Sequence, residues 1–451
     1  MERATGVFDI GKTNKKFLVF DAKLSILHEE NIQIPEIPDE DGMMWDDLKE
    51  TAKWVENTFA KHQKSKDFDF ERLNFTTFGA SLVHLDKEGK AVTPLYSYLK
   101  AYPANLRNQL FEKYGGELQI CKSTASPSLG MLNSGLQLYW LKHKKAELFS
   151  KIESSLHYPQ YLSYLFTGVK LSEKTSIGCH TMLWDFTKDT YHTWVKNELP
   201  GEILPKPTAA NNLIAAKAYR NIMVGTGLHD SSASLIPYLI GVREKFVLIS
   251  TGTWNITLNP FSTEPLTEGL LKADCLNFMS FKGKHVRASR LFFGHAHDEV
   301  AKTIAEKFGK TNEEIYQIDA DLPLIRQYLE NPEKWSGYQI NETGSLIPNF
   351  QIEKYNNLSD AYHHLLFVLC NLQKKSLELA IGNTEIERIL IAGGFAKSNL
   401  FTKLLASLLP QFKLGIAEIE QATALGAAMA VKTEFQEGNT YEVDIKHVEG
   451  F

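Results

Sequence analysis

The sequence predicts an α/β protein of two domains, and three observations lead to this prediction. The chain has 451 residues, which is more than one hydrophobic core usually serves. A strand, a tight turn and a second strand occur near the start and again from Phe246 onward. A third segment, around Gly393, has the pattern of a strand, a glycine turn and a helix. We therefore place the two domains at residues 1–242 and 243–451.

The composition limits the classes of partner. Apolar residues make up 43% of the chain and charged residues 23%, and the formal net charge is −5. This balance gives no reason to expect a nucleic-acid partner. No apolar run approaches the roughly 18 residues of a membrane helix, so no membrane partner is expected. A homodimer is compatible with the sequence, which does not define an oligomeric state.

The cysteines predict a reduced, cytoplasmic protein. No pair has the spacing of a metal knuckle or of a redox motif, so buried thiols are expected. The four positions are Cys121, Cys179, Cys275 and Cys370.

The first strand–turn–strand segment, GVFDIGKTNKK at residues 6–16, also matches the written P-loop pattern G-x-x-x-x-G-K-[ST]. A P-loop needs a loop between its glycines and a helix that begins at the Lys-Thr pair. Here residues 7–10 are Val-Phe-Asp-Ile, and residues 17–20 form a second apolar run. Because both runs favour strands, the segment predicts a β-hairpin and excludes a P-loop.

The predicted turn carries groups suited to phosphate. Gly11 permits a tight turn, and Thr13 and Asn14 can donate hydrogen bonds. Asp9 would repel phosphates unless a cation lay between them, which suggests Mg²⁺ held through water. The alternative is a charged hairpin tip at which Asp9 only caps the turn. The positive charge comes from Lys12, Lys15 and Lys16, which we expect to reach phosphate oxygens.

A similar unit occurs at residues 246–258, where a Thr-Gly-Thr turn contains Gly252 and Thr253. Two such turns could hold a polyphosphate from both sides. The alternative is an ordinary turn without a ligand.

The third unit runs from a buried strand into Gly393 and Gly394 and then into a helix near Asn399. Glycines after a strand let a flat ring approach the backbone closely. The alternative is a turn that serves only packing.

Three further segments have a predicted structure. Ser359 can cap a leucine-rich helix that runs through Leu379. Residues 421–430 are small and predict a closely packed helix. Residues 325–350 contain prolines and glycines in a polar setting and predict a surface excursion.

Asp230 follows a glycine-rich segment and precedes a Ser/Ala-rich run that is typical of a helix start. One interpretation is an N-cap, for which aspartate is common. The other is a general base, because a carboxylate at a helix N-terminus stays ionised and can accept a proton from a hydroxyl. His229 beside it is either a core histidine or a substrate donor.

Taken in chain order, these pieces resemble the FGGY family of carbohydrate kinases over essentially the whole chain. The segments that carry the resemblance are Asp9-x-Gly11-x-Thr13-Asn14, Thr76-Thr77-Phe78-Gly79, residues 85–90, residues 161–168, Gly227-Leu228-His229-Asp230, residues 250–254 and Gly393-Gly394.

The resemblance implies two actin-like, ribonuclease-H-like domains that flank a deep nucleotide and sugar cleft. Residues 1–242 would bind the sugar and carry the first phosphate loop, and residues 243–451 would bind the nucleotide. The reaction would use ATP and Mg²⁺ and transfer the γ-phosphoryl group to a sugar hydroxyl. Asp230 would be the base and Asp9 the metal residue. The nucleotide residues would be Thr13, Asn14, Lys16, Gly252, Thr253, Gly393, Gly394 and Asn399.

Within the family, Thr77-Phe78-Gly79, Lys100 and Gly252-Thr253-Trp254 resemble the L-fuculose and L-rhamnulose kinases, which act on 6-deoxy ketohexoses. The implied substrate residues are Phe78, Gly79, Ser81, Lys100, His229 and Asp230.

The chain departs from the family at two positions. Ser81 stands where that branch usually has aspartate, and Lys12 where the family usually has a small residue. The first departure motivates an alternative, a catalytically weak sensor that binds sugar or nucleotide.

Overall fold

The computed structural model describes residues 2–65, 67–335, 337–340, 346–348, 350–432 and 441–451. The strands are β1 Glu2–Ile10, β2 Lys15–Phe20, β3 Ile26–Ile32, β4 Ile37–Pro38, β5 Met44–Trp45, β6 Phe68–Thr77, β7 Leu82–Leu85, β8 Ser154–His157, β9 Ser172–Glu173, β10 Trp184–Asp185, β11 Thr190–Tyr191, β12 Pro207–Thr208, β13 Leu213–Ala215, β14 Met223–Gly225, β15 Leu228–His229, β16 Phe246–Thr251, β17 Asn255–Asn259, β18 Cys275–Met279, β19 His285–Leu291, β20 Tyr338–Ile340, β21 Leu346–Pro348, β22 Arg388–Gly393, β23 Lys413–Ile416 and β24 Lys446–Val448.

The helices are α1 Leu48–Ser65, α2 Ala104–Lys113, α3 Glu117–Ser123, α4 Ser134–Lys144, α5 Ala146–Phe149, α6 Tyr158–Thr167, α7 Lys174–Ile177, α8 Thr193–Glu198, α9 Asp230–Ser234, α10 Ile236–Gly241, α11 Glu268–Lys272, α12 Phe293–Phe308, α13 Asn312–Tyr316, α14 Leu322–Glu330, α15 Pro332–Trp335, α16 Leu358–Ile381, α17 Asn399–Leu408 and α18 Ala422–Ala430. Within the described ranges, none of them is long and apolar enough to span a bilayer.

The chain forms two compact units. The first contains residues 1–241, 277–285 and 420–442, and the second contains residues 242–276, 286–419 and 443–451. Each unit has its own cluster of buried apolar side chains.

The first unit contains a sheet of seven described strands in the order β13-β14-β6-β1-β2-β3, with β15 also paired to β6. The strands β1, β2 and β3 are antiparallel neighbours, whereas β6 is parallel to β1, β14 and β15. Since parallel strands end at the same edge, the residues that follow β1, β6 and β15 lie at one edge of this sheet.

The second sheet, with seven described strands, has the order β18-β19-β17-β16-β22-β23-β24. Its central strand β16 is antiparallel to β17 and parallel to β22. In the same way, β1 of the first unit is antiparallel to β2 and parallel to β6. The predicted β-hairpins are therefore confirmed in both units. No helix begins at Lys12, which confirms that the P-loop interpretation was correctly excluded.

Two other sequence predictions need correction. The helix α16 is capped by Asn357, whose side chain accepts from the Asp360 N–H, and not by Ser359. Residues 325–350 do not begin as a surface excursion, because Ile325 and Tyr328 are buried in the core of the second unit. Residues 336, 341–345 and 349 of that segment lie outside the described residues.

The small-residue helix α18 packs closely against α9, as its composition predicts. A Cβ atom added at Gly426 would lie 1.9 Å from the backbone oxygen of Ala233. No side chain fits there unless the backbone of one helix moves. Because Gly426 has no side chain, α18 can pack directly against α9, the helix that begins with Asp230, and this contact sets the position of α9.

We expect Gly426→Ala to lower the free energy of unfolding by about 1–3 kcal/mol, since the methyl group must displace backbone and this outweighs the better helix propensity of alanine. Denaturant unfolding measures the effect. The matched control is Gly201→Ala, because no atom of the described residues lies within 4 Å of the added Cβ there. Equal stability of the two variants would contradict the packing argument.

Candidate functional site

The turn between β1 and β2 is short and open. The Gly11 N–H donates to the Asn14 carbonyl over 3.0 Å, which closes the turn. Thr13 and Asn14 are exposed at its tip. The Asn14 side-chain oxygen accepts a hydrogen bond from the Gln33 amide at 3.1 Å. The backbone and side chains of the tip are therefore accessible to a ligand.

The buried lysine of the hairpin is Lys15, whose side chain is 1% exposed. Its ammonium donates to Asp46 Oδ1 at 3.0 Å and to the carbonyl oxygens of Gly11 and Lys12 at 3.2 and 3.1 Å. The expectation that Lys15 reaches phosphate oxygens is therefore wrong. Its charge is paired inside the protein, where it holds the turn.

The Lys12 ammonium also interacts with residues outside the turn. Its ammonium pairs with Glu36 and lies 3.6 Å from the centre of the Trp45 ring. A cation over an aromatic face is attracted by the ring quadrupole. The residue that departs from the family pattern therefore has a local structural partner.

The remaining lysine, Lys16, lies beside Asp9. The two residues are direct cross-strand partners, so their side chains share one face of the sheet. The Lys16 ammonium donates to the Gln421 amide oxygen at 2.9 Å and lies 3.9 Å from Glu29. Of the three hairpin lysines, Lys16 is thus the one that the structure places next to the predicted metal residue.

Asp9 lies in an environment that disfavours its charge. Burial, and then the charge of Asp230, raise its pKa to about 7, while Lys16 acts in the opposite direction. Two carboxylates close enough to influence one another need a cation between them if both are to be ionised. The structure therefore brings together the predicted metal residue, the predicted base and one lysine.

Thr76 completes this group and was missed in the sequence. It is the parallel partner of Asp9 on β6, and its buried hydroxyl has no hydrogen-bond partner among the described residues. An unsatisfied buried hydroxyl is costly, so one on the residue paired with Asp9 suggests a polar ligand. Oxygen groups of this kind are what Mg²⁺ prefers, and the residues present fit that ion. Only the register of β6 reveals Thr76.

Asp230 is positioned by a glycine. Gly227 has a φ of 87°, and a Cβ there would lie 2.6 Å from the Pro159 carbonyl oxygen, so no other residue fits. The chain then forms the short strand β15 and enters α9 at Asp230. Because Leu228 pairs with Thr76, Asp230 emerges at the edge where β1 ends.

The predicted N-cap role of Asp230 receives little support. The residue at the cap position is His229, and Asp230 Oδ1 accepts from the N–H of the next residue, Ser231, at 2.6 Å. Burial raises the pKa of Asp230 to about 6, against the opposing effect of the Ser231 hydrogen bonds. The side chain still has 34% of its surface exposed. Asp230 is therefore a recessed but reachable carboxylate.

His229 lies in a compact pocket with Gly79 and Cys179. Its Nε2 is 3.1 Å from Asp230 Oδ1 and 3.0 Å from Cys179 Sγ. Burial lowers the pKa of His229 to about 3, so the imidazole is neutral. A Cβ at Gly79 would lie 3.0 Å from the same nitrogen, which explains the need for glycine. The structure thus joins Gly79, His229 and Asp230.

The rest of the Phe-Gly segment is buried. Phe78 packs edge-on against Trp45 and Tyr158. Ala80 has a φ of 58°, a left-handed conformation that is costly for alanine. Within the described part of the chain, the buried hydroxyl of Ser81 has no hydrogen-bond partner. Strain and an unsatisfied hydroxyl in adjacent residues are typical of a functional segment.

Lys100 belongs to a different cluster. Its ammonium lies 2.5 Å from Asp39 Oδ2 and 2.6 Å from Asp41 Oδ2. These carboxylates supply two charge-assisted partners. The structure thus ties Lys100 to Asp39 and Asp41, and no described contact joins it to Asp230.

The second unit places its two predicted turns side by side. In the register of the sheet, Thr251 pairs with Gly393, so the Gly252–Thr253 turn adjoins the glycine pair. Gly393 has a φ of 90°, and a Cβ there would lie 2.1 Å from the Thr251 carbonyl oxygen. Gly394 has no atom within 4 Å of such a Cβ. The first glycine is required by packing, and the second leaves open space.

Thr251 links these turns and was missed as a site residue. Its hydroxyl donates to the Ala392 carbonyl at 2.7 Å and accepts from the Phe395 N–H at 3.0 Å. Asn399 begins α17 and is exposed, while Ser398 caps that helix. The Gly252–Thr253 turn, Gly394 and Asn399 are thus all exposed in the second unit, and we call these residues its turn surface.

The chain matches two family models. The model described as FGGY family of carbohydrate kinases, N-terminal domain, matches residues 4–236. The model described as Carbohydrate kinase FGGY, C-terminal domain, matches residues 243–439.

Similar proteins carry related names. A rhamnulokinase of Halalkalibacterium halodurans is 22% identical over an alignment of 267 residues that covers 56% of this chain and 53% of that protein, so the match spans about half of that relative's length. An L-fuculokinase of Haemophilus influenzae is 22% identical over an alignment of 460 residues, with 94% of this chain and 93% of that protein covered.

A solved carbohydrate kinase from Novosphingobium aromaticivorans has a TM-score of 0.82 at 22% identity, and the match covers all of this chain and 94% of that chain. This likeness confirms the predicted α/β class with two actin-like, ribonuclease-H-like domains. Together, the two family models and this shared fold show that the chain belongs to the FGGY family of carbohydrate kinases.

Proposed function

We propose that this protein transfers the γ-phosphoryl group of ATP to a hydroxyl group of a ketose or related sugar, with a 6-deoxy ketohexose such as L-fuculose or L-rhamnulose as the preferred acceptor. The observation that carries the proposal is the meeting of Asp9, Lys16 and Asp230 at one edge of the first sheet. Phosphoryl transfer depends on positioning, charge neutralisation and a group that accepts the hydroxyl proton, and these residues offer all three.

The two domains predicted from the sequence take different tasks in this proposal. Residues 1–242 bind the sugar and present Thr13, Asn14 and Lys16 to the phosphates. Residues 243–451 bind the nucleotide through the turn surface described above. Kinases of this family use ATP, which agrees with the assignment. A reduced cytoplasmic setting is also part of the proposal, supported by the four buried cysteines, none of which forms a disulfide.

Asp9 and Thr76 are the groups that would hold Mg²⁺, with Asp9 acting through water. When bound, this ion neutralises negative charge on the phosphates. The mutual repulsion of Asp9 and Asp230 and the unsatisfied Thr76 hydroxyl support this assignment.

Asp230 acts as the general base. It accepts the proton of the attacking sugar hydroxyl as the oxygen bonds to the γ-phosphorus, and the bond from phosphorus to the ADP oxygen breaks. The neutral imidazole of His229 lies within hydrogen-bonding distance of Asp230 and orients its carboxylate. Lys16 supplies positive charge beside Asp9 for the phosphates.

The preference for a 6-deoxy sugar rests on the resemblance and on the relatives. The relatives named rhamnulokinase and L-fuculokinase point to the same sugar class.

A coupled ADP-release assay over L-fuculose, L-rhamnulose, D-xylulose, L-ribulose and glycerol tests the proposal. We expect the highest kcat/KM with one of the two 6-deoxy sugars, by about 10-fold or more over the sugars without the methyl group. If D-xylulose gave the highest kcat/KM, the proposed 6-deoxy sugar class would be wrong, and the proposed kinase activity would stand. Binding of a sugar or of ATP without any turnover would favour the sensor that the Ser81 position suggests.

Replacing Asp230 tests the base. We expect Asp230→Asn to lower kcat by roughly 10²–10⁴-fold, because asparagine keeps the shape but cannot accept the proton. Thermal stability and ATP binding should persist. Asp230→Ala is the matched comparison, since it also removes the hydrogen bond to the Ser231 N–H. If Asp230→Asn retained full turnover and only Asp230→Ala were impaired, a structural role would explain the residue.

The hairpin lysines make a second test. Lys16→Met should lower kcat/KM for ATP by about 10²-fold, because it removes the cation beside Asp9. Lys12→Met should change it by less than about fivefold, because the Lys12 charge is already paired with Glu36 near the surface. Steady-state kinetics with ATP as the varied substrate gives both values. Loss of ATP use in Lys12→Met alone would restore the P-loop interpretation.

A further inference from the structure

A group of possible metal ligands lies outside the residues assigned to the reaction. His28 and Glu30 belong to β3, which is at one end of the described strand order of the first sheet, and His62 belongs to α1. His28 and Glu30 are two residues apart on one strand, so their side chains point to the same face. We call these three residues the β3–α1 cluster.

The ligand atoms of the β3–α1 cluster converge. His62 Nε2 lies 3.3 Å from Glu30 Oε1, and His28 Nε2 lies 3.7 Å from Glu30 Oε2. One ligand atom from each of the three residues lies within 4.8 Å of the other two. Such separations suit three ligands around a single ion, for which metal–ligand distances are about 2.0–2.2 Å.

Among the described residues, Glu30 is the group that the two Nε2 atoms approach. Both Nε2 atoms are buried, and neither makes a hydrogen bond of good geometry to any described residue, Glu30 included. The His62 side chain is only 8% exposed. Burying a polar nitrogen without a partner costs free energy, and an ion bound by both nitrogens would remove that cost. This unsatisfied, buried pair is a second observation that points to a ligand.

The rings are held in place by packing. The His62 ring lies 5.4 Å from the Phe17 ring and 6.2 Å from the Phe68 ring, and the two histidine rings are 4.6 Å apart. Packing of this kind limits the rotamers and reduces the cost of ordering the ligands. The competing partner is Lys61, whose ammonium lies 2.9 Å from Glu30 Oε2 and whose side chain is 65% exposed, so it can turn to solvent.

We propose that the β3–α1 cluster binds a zinc ion, with His28, Glu30 and His62 as ligands and water in the remaining position. Two imidazoles and a carboxylate are a ligand set that zinc accepts readily. The bound ion would join the end strand β3 to α1 and stabilise the first unit. The site does not include Asp9, Lys16 or Asp230, so it is independent of phosphoryl transfer.

Competition with a chromophoric chelator measures Zn²⁺ binding to the full chain. We expect His28→Asn, Glu30→Gln and His62→Gln each to raise the Kd of one Zn²⁺ by at least 10-fold and to abolish the Zn²⁺-dependent rise in the unfolding temperature. His28→Asn is the decisive variant if the buried His62 proves necessary for folding, because His28 is partly exposed. His447→Asn, at an exposed histidine of β24, is the matched control and should bind as the parent does.

Two results would overturn the proposal. One is that the parent protein binds no more Zn²⁺ than His28→Asn does. The other is equal stabilisation of both proteins by Zn²⁺, which would place the ion elsewhere, for example at the ligand group that Cys179, His180 and His229 form. Sugar kinase turnover measured with Mg²⁺ should be the same in the parent and in His28→Asn, since His28 is not among the residues assigned to the reaction.

Discussion

The strand β6 is parallel to β1 on one side and to β14 and β15 on the other. The proximity of Asp9 and Asp230 depends on this arrangement. Parallel pairing makes the strands end at one edge of the sheet, so residues far apart in the chain meet there. Its register places Thr76 between Asp9 and Leu228, and Asp230 follows two residues later. A shift by one residue would turn Thr76 to the opposite face and separate these groups.

Some charged side chains near this edge are neutralised by a partner within the protein, and others are not. Lys15 and Asp46 neutralise one another in the interior, and Lys12 pairs with Glu36 beside Trp45. Asp9 and Asp230 have no such complete compensation, and their pKa values are raised to about 7 and about 6. A bound cation would offset the repulsion between these two carboxylates, which agrees with the Mg²⁺ site that we propose.

The second unit uses the same strand arrangement with different side chains. Its hairpin turn and its glycine pair are joined by the Thr251 hydroxyl and offer exposed backbone rather than carboxylates. Equivalent strands thus carry charged groups in one unit and open glycines in the other. This difference accounts for the separate tasks that we propose for the two units.

The sequence by itself determined the hairpins, the glycine turn before α17 and the close packing of α18, because strand propensity, glycine conformations and small-residue patterns are local properties. It also indicated the family through the order of its motifs. It did not determine the cap of α16, where Ser359 and Asn357 were both suitable, or the burial of Ile325 and Tyr328, which depends on the core they meet.

The resemblance implied Lys16 as the phosphate residue of the hairpin, but only the tertiary structure showed why Lys12 and Lys15 differ from it. Neighbouring residues of a strand point to opposite faces, and the segment that carries Asp46 covers the face of Lys15 and leaves Lys16 with Asp9. The same is true of Thr76, which becomes notable only when β6 aligns with β1. The roles of these side chains come from partners that are distant in the chain, and no local pattern in the sequence encodes such partners.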